Sequence, residues 1–246
     1  MLVLDQIVKT FGGIRAVDGV SFEVNRGEIV ALIGPNGSGK STTLNLITRV
    51  YPLTSGRITF DHRDLTQLAT HKIIHTGIAR TFQNIRLFNN LTVWENVWVA
   101  ARQDHGHTGW QRWFRKDRAT RDWIDEILGY CHLDARRHDL AGNLSFGEAR
   151  RLEVARGMAT NPTLLMLDEP AAGMSGSEIG ELIDTIRTLQ QRGATILLID
   201  HVLDLVMNVA ERVVVLNFGR KLAEGPPAQI QANAEVRAAY LGTKET

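Results

Sequence analysis

A single cysteine, Cys131, stands among 246 residues, so an intramolecular disulfide is excluded and the chain reads as one suited to a reducing compartment. Long apolar runs are missing as well. None approaches the ~18 residues needed to cross a bilayer, and the longest, such as 194–199, are strand-sized. The chain is expected not to insert in a membrane on its own, so any membrane role must come through a partner. The opening residues carry an early acid, Asp5, and lack the charged-then-apolar layout of a secretory leader. An excess of one charge is also absent: 28 Lys+Arg against 27 Asp+Glu leave a net +1. That balance argues against nucleic acid as a partner, for which a strongly basic domain is expected. Repeats and low-complexity tracts are lacking too. What remains is an ordinary globular composition, long enough to bury a substantial core without staples.

Residues 2–8 and 20–24 read as β segments, and the apolar run 29–33 leads into a glycine-rich turn followed by a helix over 42–50. Strand-like runs recur at 163–167 and 194–199, each ending in acids or histidine. Residues 212–216 and 221–224 read as a hairpin around Asn217-Phe218-Gly219. Strands alternating with helices predict an α/β sheet layered with helices, the early strands forming an added antiparallel layer. Between about 86 and 150 the apolar residues fall at helical spacing. Thr92-Val93-Trp94-Glu95 is a capping box opening a helix through about Arg102, and Trp123, Ile127 and Leu128 continue the pattern. The expected organisation is an α/β core of 1–85 and 151–246 with a helical subdomain, 86–150, inserted in it.

Gly34-Pro35-Asn36-Gly37-Ser38-Gly39-Lys40-Ser41 fits the P-loop pattern, with a strand before it and a helix after. Glycines let backbone N–H groups turn inward around phosphates, and the helix N-terminus adds the positive end of its dipole. The ATP-binding set read from this loop is Asn36, Gly37, Ser38, Gly39, Lys40, Ser41 and Thr42. Lys40 reaches the β- and γ-phosphates, and the Ser41 hydroxyl sits on Mg²⁺. A second apolar strand, 164–167, delivers Asp168 and Glu169 at its C-terminal end, where α/β sheets bind ligands. Asp168 is placed to hold Mg²⁺ and Glu169 to polarise the attacking water as general base. The run 196–199 repeats that geometry with Asp200 and His201 at its tip, which sets His201 at the γ-phosphate. Ser145-x-x-Glu148 is another capping box and starts a helix whose N-terminus attracts anions.

Leu144-Ser145-Phe146-Gly147-Glu148 resembles the Leu-Ser-Gly-Gly-Gln signature loop of the ATP-binding cassette (ABC) ATPases, P-loop NTPases in which two copies sandwich two ATP molecules head to tail. The resemblance implies that Ser145, Gly147 and Glu148 act on the γ-phosphate held by the opposite subunit. It also implies that Gln83, in Arg80-Thr81-Phe82-Gln83-Asn84, joins the core to the helical subdomain and reaches Mg²⁺ and water, and that Phe11 stacks on adenine. The implied cofactors are ATP and Mg²⁺. Phe146 and Glu148 depart from the usual Gly and Gln. Ser175 replaces the family's Asp in the loop after the acidic strand, although Ser175-x-x-Glu178 still makes a capping box.

Residues 11–17, 77–88, 168–174 and 236–242 look most like the ATPases of branched-chain amino acid importers. The implied function is to power such import through a separate integral membrane permease, fed indirectly by a periplasmic substrate-binding protein. The chain would then sit peripherally on the cytoplasmic face of the inner membrane, as a homodimer or paired with a similar ATPase. Urea or short-chain amide uptake, lipopolysaccharide export and a soluble mechanoenzyme are the alternatives. Trp110, Trp113 and Phe114 amid Arg112, Arg115 and Lys116 read as an amphipathic helix packed on its own subdomain, with a membrane or partner contact as the other reading. His105-Gly106-His107 reads as loop.

Overall fold

The computed structural model describes residues 1–101 and 118–241. Arg102, the 105–107 and 110–116 stretches and Gly242 lie outside the described residues. Two sheets form the frame. The first joins β1 (Leu2–Phe11), β2 (Ile14–Val24), β4 (Ser55–Phe60) and β5 (Arg63–Asp64) in the antiparallel order β2-β1-β4-β5. The second runs β10-β9-β3-β8-β7-β6, built from β3 (Ile29–Ile33), β6 (Ile78–Arg80), β7 (Leu164–Asp168), β8 (Ile196–Ile199), β9 (Arg212–Asn217) and β10 (Arg220–Gly225). Its five strands from β9 to β6 are parallel, and β10 closes the edge antiparallel to β9.

The parallel strands read as continuous apolar runs because both faces are covered. Alternation along each strand divides the core. Ile29, Ala31, Ile33, Leu165, Leu167, Ile196 and Leu198 join one buried cluster with the helices. Val30, Leu32, Leu164, Met166, Leu197 and Ile199 join another with the antiparallel sheet and α1 (Lys40–Ile47). Fully burying one such side chain stabilises by ~1.5–3 kcal/mol, so the sheet that carries the site is held from both sides.

Between β6 and β7 lie α2's successors: after α2 (Thr70–Ile73), the chain forms α3 (Val93–Ala101), α4 (Arg118–Tyr130) and α5 (Phe146–Ala159). Val93, Val97, Ile124, Ile127, Leu128 and Cys131 fall at helical spacing and are continuous with the core on the sheet's helical side. Helix α5 runs through position 150/151, where the sequence suggests a boundary, so the helical segment and the core share an unbroken element. Then α6 (Gly176–Gln191), α7 (Leu203–Val209), α8 (Pro227–Ala232) and α9 (Ala234–Leu241) complete the helices of the described residues. No described helix is long and apolar enough to cross a membrane.

Candidate functional site

The register of the parallel sheet brings three loops to one edge. Leu32 pairs with Ile199, and Ile199 with Asp168, so β3, β8 and β7 end side by side. The loop after β3 is the P-loop. Gly39 caps α1 at φ 103, a left-handed conformation, and a Cβ there would lie 2.6 Å from the Ala16 carbonyl oxygen. Only glycine combines that backbone with that approach. The hairpin behind the loop braces it: Gly219 N–H donates to the Ser38 carbonyl at 3.1 Å, and Asp18 N–H to the Gly219 carbonyl at 2.8 Å. Phe218 and Gly219 both have positive φ, the two-residue turn that suits a twisted hairpin.

Lys40 is buried, and its ammonium donates to the carbonyls of Gly34 at 2.7 Å and Pro35 at 3.0 Å. Burial pushes its pKa down, while the carboxylates of Glu169 and then Asp168 pull it back up. These charges therefore act on a common volume. The Ser38 hydroxyl is buried with no hydrogen-bond partner among the described residues. The first turn of α1 holds no acid and no side-chain cap. An orphaned hydroxyl, a desolvated ammonium and a helix N-terminus with no side-chain cap fit a bound polyphosphate.

Asp168 ends β7 with Oδ2 held 2.8 Å from the Arg80 guanidinium, both side chains nearly buried. Arg80 also donates to Asn45 Oδ1 at 2.7 Å and Thr48 Oγ1 at 3.2 Å on α1 and just after it, tying the P-loop helix to the acid. Glu169 follows at φ 49, its N–H donating to the Ile199 carbonyl at 2.7 Å. Its Oε2 accepts from Gln83 Nε2 at 2.8 Å, and its Oε1 lies 4.0 Å from His201 Nδ1. The fold thus gathers Gln83, Glu169 and His201, and sets Lys40 and Asp168 within their field. Ser41 lies exposed in the first turn of α1 and Thr42 is half-buried beside it. Asn36 and Gly37 are exposed on the loop. Phe11 is 41% exposed at the end of the β1–β2 hairpin, edge-on to Tyr51 at 5.2 Å between centroids.

Ser145, Gly147 and Glu148 sit elsewhere, at the N-terminus of α5. The capping box forms in full: Ser145 Oγ accepts from Glu148 N–H at 3.2 Å, and Glu148 Oε2 accepts from Ser145 N–H at 2.8 Å. Arg136 grips the same Glu148 carboxylate at 3.0 Å and is the main cause of its lowered pKa. The departure from Gln is therefore neutralised inside the chain. The Phe146 ring lies against Gly173 and under the Arg150 guanidinium, 5.2 Å from ring centroid to carbon.

A family model described as ABC transporter matches residues 17–172. The chain belongs to the ABC transporter ATPases. A second model, described as branched-chain amino acid ATP-binding cassette transporter, matches 220–246. The cassette is 40% identical over 250 residues to the high-affinity branched-chain amino acid transport ATP-binding protein BraF of Pseudomonas aeruginosa, with 98% of each chain covered. It is 42% identical over 254 residues to LivG of Salmonella typhimurium, again with 98% of each covered. Among solved structures it resembles an ABC transporter cassette in its ADP conformation, with a TM-score of 0.87, 33% identity and 98% of each chain covered. The α/β P-loop fold and the family expected from the sequence hold, and the cassette's activity is ATP hydrolysis as the nucleotide-binding subunit of an ABC transporter.

Four residues of the cassette's site escape motif reading. Arg80 is described above. Asp200, fully buried, accepts from the N–H groups of His201 and Val202 through Oδ1 and of Ala171 through Oδ2, and so fixes both loops that carry acids and histidine. Arg150 donates to the carbonyls of Gln83 at 2.6 Å and Phe82 at 3.3 Å. Glu153, paired with Arg150 at 3.1 Å, accepts from Arg86 N–H. Helix α5 thereby holds the backbone around Gln83. For Arg150 and Glu153 the available signal is charge at core-facing helical positions, which is legible only once the burial of α5 is known.

Proposed function

We propose that this cassette powers uptake of branched-chain amino acids. The observation that carries the substrate class is the match of residues 220–246 to the branched-chain amino acid cassette model, joined to near-full-length likeness to BraF and LivG. The integral membrane permease supplies the path and a periplasmic binding protein the selectivity. The cassette docks peripherally on the cytoplasmic side, with 86–150 as a helical subdomain. It works as a pair, with itself or a similar cassette; a dimeric structure of a bacterial ABC transporter cassette aligns at a TM-score of 0.77 and 25% identity, over 92% of this chain and 99% of that one.

Within the site, the backbone of Asn36 to Thr42 and the Lys40 ammonium hold the ATP phosphates, and Phe11 stacks on adenine. Ser41 and Asp168, through the oxygen not committed to Arg80, would hold Mg²⁺ with Gln83 reaching it; the ion neutralises phosphate charge when bound. Glu169 takes the proton of the attacking water, and His201 holds the water and γ-phosphate in line. Ser145 and Gly147 complete the site of the opposite subunit, with Glu148 fixing their cap.

The test is uptake of labelled leucine, isoleucine and valine in cells lacking this chain. Uptake should fall, and return with the wild-type chain but not with Glu169→Gln. Unchanged branched-chain uptake, with loss of another solute's transport, would overturn the substrate assignment.

A further inference from the structure

The first N–H groups of a helix have no partner within it, so each one at the start of α5 can be traced. Ser145 Oγ accepts from Glu148 N–H. Gly147 N–H, the group that the shared-site reading sends to the opposite γ-phosphate, donates instead to Glu178 Oε1 at 3.0 Å. The other oxygen of Glu178 accepts from Ser175 N–H at 2.9 Å and Ser175 Oγ at 2.8 Å, capping α6. One carboxylate therefore joins two helix N-termini. Gly147 admits it: a Cβ there would lie 2.5 Å from Glu178 Oε1 and 2.7 Å from its Cδ. The same two loops meet again where the Phe146 ring lies against Gly173.

We propose that Glu178 is a positioning residue that stands in for the phosphate on the signature loop of the free chain and must release Gly147 N–H when a second cassette closes. Three features carry this. A carboxylate and a phosphate oxygen compete for one N–H in one helix-end field. Gly147 is buried, so the N–H is reached only by what the local packing admits. Glu178 holds Ser175 with its second oxygen, so release of Gly147 need not uncap α6, and the movement passes into the loop that follows Glu169. Closure of one composite site is thereby linked to the segment carrying the base of the neighbouring one.

The inference rests on the shared-site reading, and the experiment separates the two. In the Glu169→Gln background, where slow hydrolysis lets a nucleotide sandwich persist, ATP with Mg²⁺ is titrated and the dimer fraction measured by sedimentation. Glu178→Gln keeps the shape and one acceptor oxygen but removes the charge. The ATP midpoint for dimerisation should fall roughly five- to tenfold, the difference between a charge-assisted and a neutral hydrogen bond. Nucleotide binding by the monomer, measured in a Ser145→Arg background, should not change. Glu178→Asp, a methylene shorter, should move the midpoint the same way and serves if the Gln variant does not fold. An unchanged or raised midpoint in a folded variant overturns the role of Glu178 while leaving the shared site intact. A parent that forms no ATP-dependent dimer sinks the shared site and this inference with it.

Discussion

Helices α1 and α5 both begin at glycine-containing loops and both, in the proposed mechanism, turn their N-termini toward a phosphate. Their free states are opposites. Helix α1 begins after Gly39 with no side-chain cap and no acid in its first turn, and the nearby Ser38 hydroxyl has no partner among the described residues. Helix α5 begins with a complete capping box, an arginine-neutralised Glu148 and the Glu178 carboxylate on Gly147 N–H. An open helix end can take its anion at once, whereas a filled one must first be emptied. Under the proposed mechanism that difference sets an order: nucleotide binds to the P-loop of one chain, and the signature helix of another joins afterwards. Among the described residues, the ties that a phosphate must draw off at the open end are the Lys40 bonds to the Gly34 and Pro35 carbonyls.

The largest effect sharpens this contrast by leaving both helix ends intact. Glu169→Gln removes only the base, so turnover should drop about 10²–10⁴-fold while ATP binding stays near wild type. Rapid-quench phosphate release beside equilibrium nucleotide binding measures both. Near-normal hydrolysis would take Glu169 out of the base role. A smaller effect tests the open end: Lys40→Ala loses a charge-assisted contact worth ~1.5–3 kcal/mol, so nucleotide affinity should weaken by about 10- to 100-fold and hydrolysis with it. The α5 end should be unaffected, and any change in the melting temperature of the nucleotide-free chain reports the lost Lys40 bonds to the Gly34 and Pro35 carbonyls. Wild-type affinity in Lys40→Ala would remove the P-loop assignment.

The smallest effect belongs to the filled end. Glu148 is held below its ordinary 4.5 chiefly by Arg136, and Glu178 chiefly by Ser175 N–H, then the Ser175 hydroxyl and Gly147 N–H. Folded pKa values lowered in this way contribute stability that is present above about 4.5 and lost as pH falls through the lowered values. The wild-type melting temperature should therefore drop more steeply below pH 4.5 than that of a Glu148→Gln, Glu178→Gln double variant. Parallel curves would show that these carboxylates do not stabilise the cap.

How far this was legible in the sequence follows from which interactions are local. The P-loop, the acids after β7 and the Ser145 capping box depend on contacts within a few residues, and their patterns are explicit. Sheet elements fixed by distant pairing were less visible. The sequence predicts β1 over 2–8, whereas the strand runs on to Phe11 by pairing with β2, past an irregular register that includes Gln6 at φ 44. Strand β4 carries serine, glycine and arginine and β6 is only three residues long, and they form because β1 and β7 lie beside them. The helix expected over 42–50 starts at Lys40, because Gly39 supplies the cap, and stops at Ile47 before Arg49 turns left-handed at φ 59. The Gly147–Glu178 bond spans 31 residues, and no periodicity announces it.

The shared site is the central claim, and one variant tests it most directly. Ser145→Arg sets a bulky cation at the exposed start of α5 and leaves the P-loop untouched. Purified Ser145→Arg chain should bind ATP as tightly as wild type, remain monomeric in sedimentation with ATP and Mg²⁺, and release almost no phosphate. A monomeric Ser145→Arg chain that hydrolyses ATP at the wild-type rate would contradict the account.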